Sequence, residues 1–431
     1  MKNRDFSSDI IERFYKEDPK AQCRNITFQV TDDCCLKCSY CYQTHKGHAM
    51  MTNEVAKAAV DLLFKLYDEN DENMVINHHT YGIVLDMIGG EPFMNVDVMD
   101  FIVGYFIQQC YERDHIWLTN FRVGISTNGL LYFEPKVQAF LNKYASFISM
   151  NVTIDGPKNI HDLCRVDYGG SGSFDRAMAA WNDWFLVKKH NVPDTKVTIA
   201  PENLPNIGEI FDFFLSKGCT SIHANPIFEH KWTEEEASLY YKLLIKLADR
   251  LLEVEGAESS LFSDFKGEPL SANDTNNYCG GTSAMLAFDP QGKAYPCLRY
   301  MASSLGPNVP PIIIGDTSGI YNTPETRAIY DDMQKVTRQS QSTQECIECP
   351  VASGCAYCSA YNYQETGSYN KRSTNICWMH RAEALAGVYY WNTYYRMHNM
   401  TKRKKMHLPM DIAMHLITAN EYNKLLALSN T

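Results

Sequence analysis

The sequence lacks any apolar run long enough to span a bilayer, which excludes an integral membrane protein of the helical type. Its first twenty residues, MKNRDFSSDIIERFYKEDPK, lack the apolar segment of a signal peptide, so a cytoplasmic protein without membrane contact is expected. Basic residues are the minority, and the formal net charge of −11 argues against a nucleic-acid partner. No repeat of fixed period is present, which excludes solenoid architectures.

Cysteine, by contrast, is abundant, with 15 residues that are mostly clustered. In a reducing compartment such clusters predict bound metal rather than disulfides. The first cluster is Cys34, Cys38 and Cys41, with Tyr40 directly before the last of them. No fourth cysteine or nearby histidine completes the set, and the side chain of Cys35 is expected to diverge from that of its neighbour. Three thiolates with one open position fit a [4Fe–4S] cluster with an exposed iron; a structural metal site is the alternative.

Six predicted strands alternate with predicted helices, and polar loops follow the strands. A capping box from Thr233 to Glu236 begins a helix that is expected to reach about residue 254. The alternation predicts an α/β fold, a partial (β/α)6 TIM-like barrel with its active site at the strand ends. The strands are expected at 25–30, 83–88, 121–126, 148–154, 196–200 and 220–227.

From about residue 256 the sequence changes character, with many Gly and Pro and seven cysteines between 279 and 377. Such a segment predicts a small domain held together by metal rather than by a hydrophobic core. The predicted division of the chain is an N-terminal segment (1–24), the barrel (25–235), a bridging helix and linker (236–275), the cysteine-rich domain (276–385) and a helical tail (386–431).

Four further motifs accompany the cysteine loop: GGEP at 89–92, STNG at 126–129, TIDGP at 153–157 and HDLCRVDYGGSGSF at 161–174. With the loop, they resemble the radical SAM superfamily over approximately residues 25–235. The resemblance implies that S-adenosylmethionine binds the exposed iron and is cleaved to a 5′-deoxyadenosyl radical that abstracts hydrogen from the substrate. It also implies that Arg165 pairs with the methionine carboxylate, for which its planar fork is suited; a surface arginine is the alternative. The implied cofactor contacts are Tyr40, Gly89, Gly90, Glu91, Ser126, Asn128, Thr153 and Arg165.

The later cysteines resemble, in their order, the SPASM extension of peptide-modifying radical SAM enzymes, which carries two auxiliary [4Fe–4S] clusters. The resemblance implies that the first auxiliary cluster is held by Cys279, Cys297 and Cys358, and the second by Cys346, Cys349, Cys355 and Cys377. With the barrel cluster, this makes three [4Fe–4S] clusters; two zinc sites are the alternative. The spacing between Cys355 and Cys358 is one residue shorter than the family commonly has. GGTSAM at 280–285 stands where some members have a further cysteine, so an open iron, a closing loop or a different arrangement of Cys358 is expected.

Within SPASM proteins, the sequence resembles maturases of ribosomally made peptides, nearest to the group associated with Cys-x-x-x-repeat precursors. This implies an oxidoreductase that forms thioether cross-links from cysteine sulfur to a substrate carbon. Anaerobic sulfatase-maturating enzymes, which oxidise Cys or Ser to formylglycine, are the first alternative. Those enzymes have an aspartate base after the cysteine that aligns with Cys297, where this chain has Leu298. Carbon–carbon cross-linking, epimerisation and a non-enzymatic iron–sulfur scaffold remain further alternatives, and no catalytic residue beyond the cluster ligands can be selected.

The implied partners are a cysteine-containing precursor peptide and an electron donor such as flavodoxin or ferredoxin, and a monomer is expected. Because the cysteine loop begins at residue 34, a fused leader-binding domain before the barrel is not expected. Either a separate protein delivers the leader, or the barrel and the C-terminal helices bind it directly.

Overall fold

Four parallel strands, hydrogen-bonded in chain order, form the centre of the larger sheet. The structure is a computed structural model that describes residues 6–191, 193–271 and 279–430. On the first strand, Ile26, Phe28 and Val30 are buried on one face, and the alternate residues Thr27 and Gln29 face the other way. The strands are β1 (Gln22–Thr31), β2 (Thr80–Gly89), β3 (Phe121–Thr127) and β4 (Ile148–Val152).

A second, three-stranded parallel sheet continues the arc of strands. It contains β5 (Asp194–Ile199), β6 (Ser221–Pro226) and the short β7 (Glu258–Ser259). No ladder joins β4 to β5 among the described residues, but the Thr198 amide donates to the Asp155 carboxylate across the gap at 3.5 Å. The six predicted strands correspond to β1–β6, and the predicted α/β partial barrel is confirmed.

The helices between the strands are amphipathic and cover the outer face of the sheets. Thr52 accepts from the Val55 amide and caps the helix that begins at Asn53. Thr233 and Glu236 form the predicted capping box of the helix that begins at Glu234. A π-helical turn, Asn182–Val187, extends the helix that ends at Trp181. The helices are α1 (Phe6–Phe14), α2 (Asn53–Glu69), α3 (Val96–Glu112), α4 (Pro135–Lys143), α5 (Lys158–Cys164), α6 (Phe174–Trp181), α7 (Ile207–Ser216) and α8 (Glu234–Glu253).

The C-terminal region adds strands directly to the barrel sheet. Strand β8 (Met285–Phe288) pairs in parallel with β1 and extends the sheet beyond it. Three short antiparallel strands follow: β9 (Lys293–Tyr295), β10 (Gly315–Asp316) and β11 (Gly319–Ile320). The cysteine-rich region is therefore joined to the barrel by backbone hydrogen bonds as well as by side-chain packing.

The remaining helices surround the later cysteines and close the chain. They are α9 (Pro324–Met333), α10 (Arg338–Gln341), α11 (Gln344–Ile347), α12 (Ser359–Thr366), α13 (Cys377–Met397), α14 (Met410–Ala413) and α15 (Ala419–Asn430). Helix α13 packs along α8, where the Tyr240 hydroxyl donates to the buried Glu383 carboxylate at 3.0 Å.

The predicted domain boundaries stay predictions. The boundary between 275 and 276 lies outside the described residues, and α13 runs without a break through the predicted boundary at 386. Along the part of the chain that the structure describes, no helix has the length and apolar character needed to cross a membrane.

Candidate active site

The first cysteine loop leaves the C-terminal end of β1 and folds back across the mouth of the barrel. Cys34 is buried and Cys38 and Cys41 are half-buried, with the Cys41 amide bonded to the Cys38 carbonyl at 3.2 Å. Burial raises the pKa of Cys38, and the nearby thiols of Cys41 and Cys34 raise it further. The structure thus brings the three predicted ligands together.

The expectation that Cys35 points away from Cys34 is wrong. The chain bends at Cys34, so that the Leu36 amide donates to the Cys34 sulfur at 3.4 Å. Both thiols then face Asn128, whose Nδ2 donates to the Cys35 sulfur at 3.2 Å and lies 3.9 Å from that of Cys34. A hydrogen bond from the Cys35 thiol lowers the pKa of Cys34. Asn128, a predicted cofactor contact, is therefore a direct neighbour of the cluster loop.

The two glycines of GGEP make room for the loop itself. A Cβ at Gly90 would stand 2.2 Å from the Asp33 carbonyl oxygen and 2.7 Å from the Cys34 Cβ, and one at Gly89 would stand 2.8 Å from Thr31. Glycine is needed here because the cluster loop packs directly on the end of β2.

Glu91, predicted as a cofactor contact, is fully buried with its carboxylate between strands β2 and β3. It accepts hydrogen bonds from the Thr127 hydroxyl at 2.6 Å, the Asn128 amide at 2.8 Å and the Phe93 amide at 3.2 Å. Burial raises its pKa to about 7. These contacts fix the position of Asn128 against the cluster loop, so Glu91 acts on the site through its neighbours.

Arg165 lies at the end of α5 and is buried beside the loop. Its Nη1 donates to the Tyr40 hydroxyl at 2.9 Å, and that hydroxyl in turn donates to the Asp155 carboxylate. The Nε of Arg165 is buried and has no hydrogen-bond partner among the described residues. A buried N–H without an acceptor is costly, and an anionic ligand would supply one. The residues present therefore fit a carboxylate-bearing cofactor, and Arg165 is not a surface arginine.

Ser126 and Thr153, the remaining predicted cofactor contacts, lie at the ends of β3 and β4. Ser126 is exposed and Thr153 is half-buried, with its amide bonded to the Thr127 carbonyl at 3.0 Å. Deeper along β2, Asp86 accepts from the Thr27 hydroxyl at 3.3 Å, and burial raises its pKa to about 6. Asp86 lies on β2, three residues before the first glycine of GGEP.

The first auxiliary set, Cys279, Cys297 and Cys358, also converges. Burial raises the pKa of Cys297, and the thiols of Cys358 and Cys279 raise it further. A Cβ at Gly281 would lie 3.4 Å from the Cys279 sulfur and 3.5 Å from the Cys297 sulfur, so the two sulfurs flank this glycine. The donor set fits a thiolate-bound cluster.

The second auxiliary set gathers at the start of α13. Burial raises the pKa of Cys355, with Cys346 and Cys349 nearby, and that of Cys377, with Cys355 and Cys346 nearby. The four cysteines are thus neighbours in the structure, and iron–sulfur and zinc both remain possible occupants by donor type.

Three residues of the site were not singled out from the sequence. Lys46 donates to the Leu36 carbonyl at 2.8 Å, and the thiols of Cys41, Cys34 and Cys38 outweigh burial and raise its pKa. Asp155 is fully buried and lies inside TIDGP, so its place in that motif was the available signal. Arg372 is buried beside the second auxiliary set and donates to the Cys355 carbonyl at 3.0 Å; no local pattern marked it.

The two cysteine regions meet at Tyr42 and Arg299. Pairing of β8 with β1 brings the segment after Cys297 to the mouth of the barrel. There the Arg299 guanidinium lies 4.6 Å from the centre of the Tyr42 ring and forms an ion pair with Glu229. Burial raises the pKa of Tyr42, and the thiols of Cys41 and Cys297 raise it further. One tyrosine is therefore adjacent to a ligand of each set.

A family model described as a 4Fe-4S single cluster domain matches residues 23–163. The serine-type anaerobic sulfatase-maturating enzyme of Bacteroides thetaiotaomicron is 29% identical over 239 residues, which cover 55% of this chain and 51% of the enzyme. The match therefore spans about half of that enzyme's length.

Two solved structures share the fold. The anSMEcpe protein with bound AdoMet aligns with a TM-score of 0.62 at 16% identity, covering 87% of this chain and 98% of that one. SuiB of Streptococcus suis bound to S-adenosylmethionine aligns with a TM-score of 0.54 at 13% identity, covering 85% and 80%. The chain is therefore similar in sequence to anaerobic sulfatase-maturating enzymes over about half of its length, and it shares its fold with anSMEcpe and SuiB.

Proposed function

We propose that this chain is a peptide-modifying oxidoreductase that forms thioether cross-links in a ribosomally made, cysteine-containing precursor. The proposal is supported by the first auxiliary set. Its three cysteines lie near one another, and the residue after Cys297 is Leu298 rather than a residue with a carboxylate. When bound at a reduced cluster, S-adenosylmethionine supplies a 5′-deoxyadenosyl radical.

Cofactor binding is assigned to the residues around the first loop. Cys34, Cys38 and Cys41 would hold the cluster, while Lys46 and Asn128 hold the loop through the Leu36 carbonyl and the two adjacent thiols. The Arg165 guanidinium, held by Tyr40, would bind the methionine carboxylate through its free Nε. Ser126 and Thr153 line the strand ends on which the rest of the cofactor would lie.

Thioether formation requires that a cysteine thiol of the substrate lose its proton as its sulfur bonds to a substrate carbon radical, and that one electron leave the product. An auxiliary cluster would accept that electron. Leu298 has no proton acceptor, and the carboxylate of Asp86 on β2 is the one that we assign to this task. Burial raises its pKa to about 6, which leaves it ionised at neutral pH yet basic enough to accept a proton.

The partners assigned to the chain are the precursor peptide and a one-electron donor of the flavodoxin or ferredoxin type. Peptide binding is supported by the related anSMEcpe protein, which has been solved with AdoMet and the Cp18Cys peptide. The leader is delivered by a separate protein or bound by the barrel and C-terminal helices, and the chain acts as a monomer in the cytoplasm.

Sulfatase maturation is the second candidate, because relatives of this chain carry that name. It requires a Cys or Ser inside a sulfatase-type peptide and a base beside the cysteine that aligns with Cys297. Leu298 argues against it.

One anaerobic experiment separates the two. The reconstituted chain is incubated with S-adenosylmethionine, dithionite and either a Cys-x-x-x-repeat peptide or a Cys-x-Pro-x-Arg peptide, and each product is weighed. Loss of two hydrogens per cross-link, with alkylatable thiols consumed and 5′-deoxyadenosine formed, supports the thioether maturase. Formylglycine in the second peptide with the first unaltered would replace the proposal by sulfatase maturation.

A further inference from the structure

The first auxiliary set has three cysteines, and the structure brings an oxygen to the same point. The Cβ position at Gly281 that lies 3.4 Å and 3.5 Å from the sulfurs of Cys279 and Cys297 also lies 3.7 Å from the Ser359 hydroxyl oxygen. Two sulfurs and one oxygen therefore surround a single point on the loop that follows Cys279. Ser359 is 3% exposed, so its hydroxyl is part of the interior of this site.

Cys358, the residue before Ser359, contributes from another side. Its sulfur accepts a hydrogen bond from the Tyr361 amide at 3.5 Å at the start of α12. Burial raises the pKa values of Cys279 and Cys297, and the nearby Cys358 thiol raises them further. Amide-to-sulfur hydrogen bonds of this kind are common for cluster-bound thiolates, since they stabilise negative charge on sulfur. The helix start thus presents a sulfur and an oxygen in adjacent residues.

Tyr300 is placed to support a ligand role for the Ser359 oxygen. Its side chain is fully buried beside Ser359, close to the thiols of Cys297, Cys358 and Cys279. Its hydroxyl is hydrogen-bonded with the Ser359 hydroxyl, and this bond opposes the effect of burial on the pKa of Tyr300. A buried tyrosine O–H that donates to the Ser359 oxygen would stabilise negative charge on that oxygen. The positive charge of Arg299 lies near Cys358 as well.

We propose that Ser359 is the fourth ligand of the first auxiliary cluster, with Cys279, Cys297 and Cys358. Ser359 binds iron through its oxygen after losing its proton to solvent, and the Tyr300 hydroxyl donates a hydrogen bond to the ligand oxygen. The cluster then has no open iron for a substrate thiol. The inference rests on the proposed iron–sulfur occupancy of this site and not on the reaction that the enzyme performs.

The test uses the full-length chain with Cys34→Ala, Cys38→Ala and Cys41→Ala, which leaves only the auxiliary sites to be loaded. Mössbauer and EPR spectra of the reconstituted protein are recorded with and without added 2-mercaptoethanol for this parent, Ser359→Ala and Ser359→Cys. Ser304→Ala is the matched control, because Ser304 is also 3% exposed and donates to the Leu298 carbonyl at 3.0 Å.

We expect the parent and the control to be insensitive to the added thiol, whereas Ser359→Ala exposes one iron and its spectrum changes on thiol addition. Ser359→Cys should retain the full iron content and shift the cluster potential upward, since thiolate donates less charge to iron than alkoxide. If Ser359→Ala fails to fold, recovery of the iron content in Ser359→Cys supports the ligand role, and failure to recover it overturns that role.

Three results would overturn the inference, in two distinguishable ways. A parent spectrum that responds to 2-mercaptoethanol as Ser359→Ala does, or a Ser359→Ala spectrum identical to the parent, removes Ser359 from the ligand set while the cluster stays. If the iron content does not fall when Cys279→Ala and Cys297→Ala are also introduced, no cluster is bound at this site and the proposed occupancy is wrong.

Discussion

Arg165 donates from Nη1 to the Tyr40 hydroxyl at 2.9 Å, while its Nε is buried with no acceptor in the described part of the chain. Tyr40 belongs to the cluster loop and Arg165 to the segment after β4, so the hydrogen bond joins the cluster ligands to the cofactor-binding cation. Asp155 completes the arrangement by accepting from Tyr40. A guanidinium fixed on one edge with its other edge free is suited to a carboxylate.

Replacing Arg165 by lysine should weaken S-adenosylmethionine binding. Lysine keeps the charge but not the planar fork, and loss of a hydrogen bond to a charged group costs about 1.5–3 kcal/mol, or about 10- to 100-fold in affinity. Equilibrium dialysis with the reconstituted protein measures the change. Arg176→Lys, at an exposed arginine of α6, is the control. Equal affinities for Arg165→Lys and the wild type would remove Arg165 from the cofactor site.

Gly90→Ala should displace the cluster loop. Its new Cβ would meet the Asp33 carbonyl oxygen at 2.2 Å, and backbone cannot yield as a flexible side chain can. We expect the iron of one cluster to be lost while the auxiliary clusters remain, as measured by iron analysis and EPR. Gly208→Ala in α7 is the control, since a Cβ there contacts nothing within 4 Å. Full iron content in Gly90→Ala would show that the loop packs differently on β2.

The fold and the cluster loop could be predicted because their signals are local. Each barrel strand is a short segment rich in apolar residues, and GGEP, STNG and TIDGP lie at strand ends, so parallel strands had to bring these three motifs to one edge. Strand β8 could not be predicted, because four residues pair with β1 across more than half the chain and only the tertiary contact distinguishes them.

The site shows the same division between local and non-local information. The role of Cys35 was missed because it depends on the bend at Cys34 and on Asn128 from β3. Glu91 was predicted from its motif to contact the cofactor, but its carboxylate is occupied by donors from β3 and by the Phe93 amide. Ser359 was not considered, although the short spacing before Cys358 marked that end of the motif as unusual.

Glu91→Gln should destabilise the chain by about 1–3 kcal/mol, because an amide N–H₂ would face one of three hydrogen-bond donors. The effect should also depend on pH. Burial raises the pKa of Glu91 from 4.5 to about 7, so the folded state holds the proton more tightly than the unfolded state. The contribution of Glu91 to stability is therefore present below about pH 4.5 and is lost as the pH rises to about 7.

Anaerobic urea denaturation of both proteins across that pH range measures this difference. The free energy of unfolding of the wild type should fall relative to that of Glu91→Gln as the pH rises. Glu112→Gln, at an exposed glutamate of α3, should follow the wild type. Parallel pH profiles for the wild type and Glu91→Gln would mean that Glu91 titrates normally.

Asp86→Asn should lower the turnover of thioether formation and flatten its pH profile. Only the ionised carboxylate accepts a proton, and burial raises the pKa of Asp86 to about 6, so wild-type turnover should rise with pH through that value. Product formation at saturating peptide, measured by mass spectrometry, gives the profile. S-adenosylmethionine binding by Asp86→Asn should match the wild type. A profile that keeps its rise near pH 6 in Asp86→Asn would assign the proton to another group.

Arg372→Gln should lower the reduction potential of the second auxiliary cluster. Arg372 is buried, donates to the Cys355 and Ala356 carbonyls at 3.0 Å and 3.2 Å, and lies near Cys355, Cys346 and Cys377. Reduction adds negative charge to a cluster, and a buried cation stabilises that charge, so its removal disfavours the reduced state. A loss of about 1.4 kcal/mol corresponds to a shift of about 59 mV for one electron.

Potentiometric EPR titration measures the shift, and Lys371→Gln is the control, because this neighbouring lysine is exposed and its charge is screened by solvent. The control should leave the potential unchanged. Because Arg372 also holds two carbonyls of the cysteine segment, Arg372→Lys separates charge from hydrogen bonding: it should retain most of the potential if charge dominates. A lowered potential in Arg372→Lys equal to that in Arg372→Gln would instead assign the effect to the backbone contacts at Cys355 and Ala356.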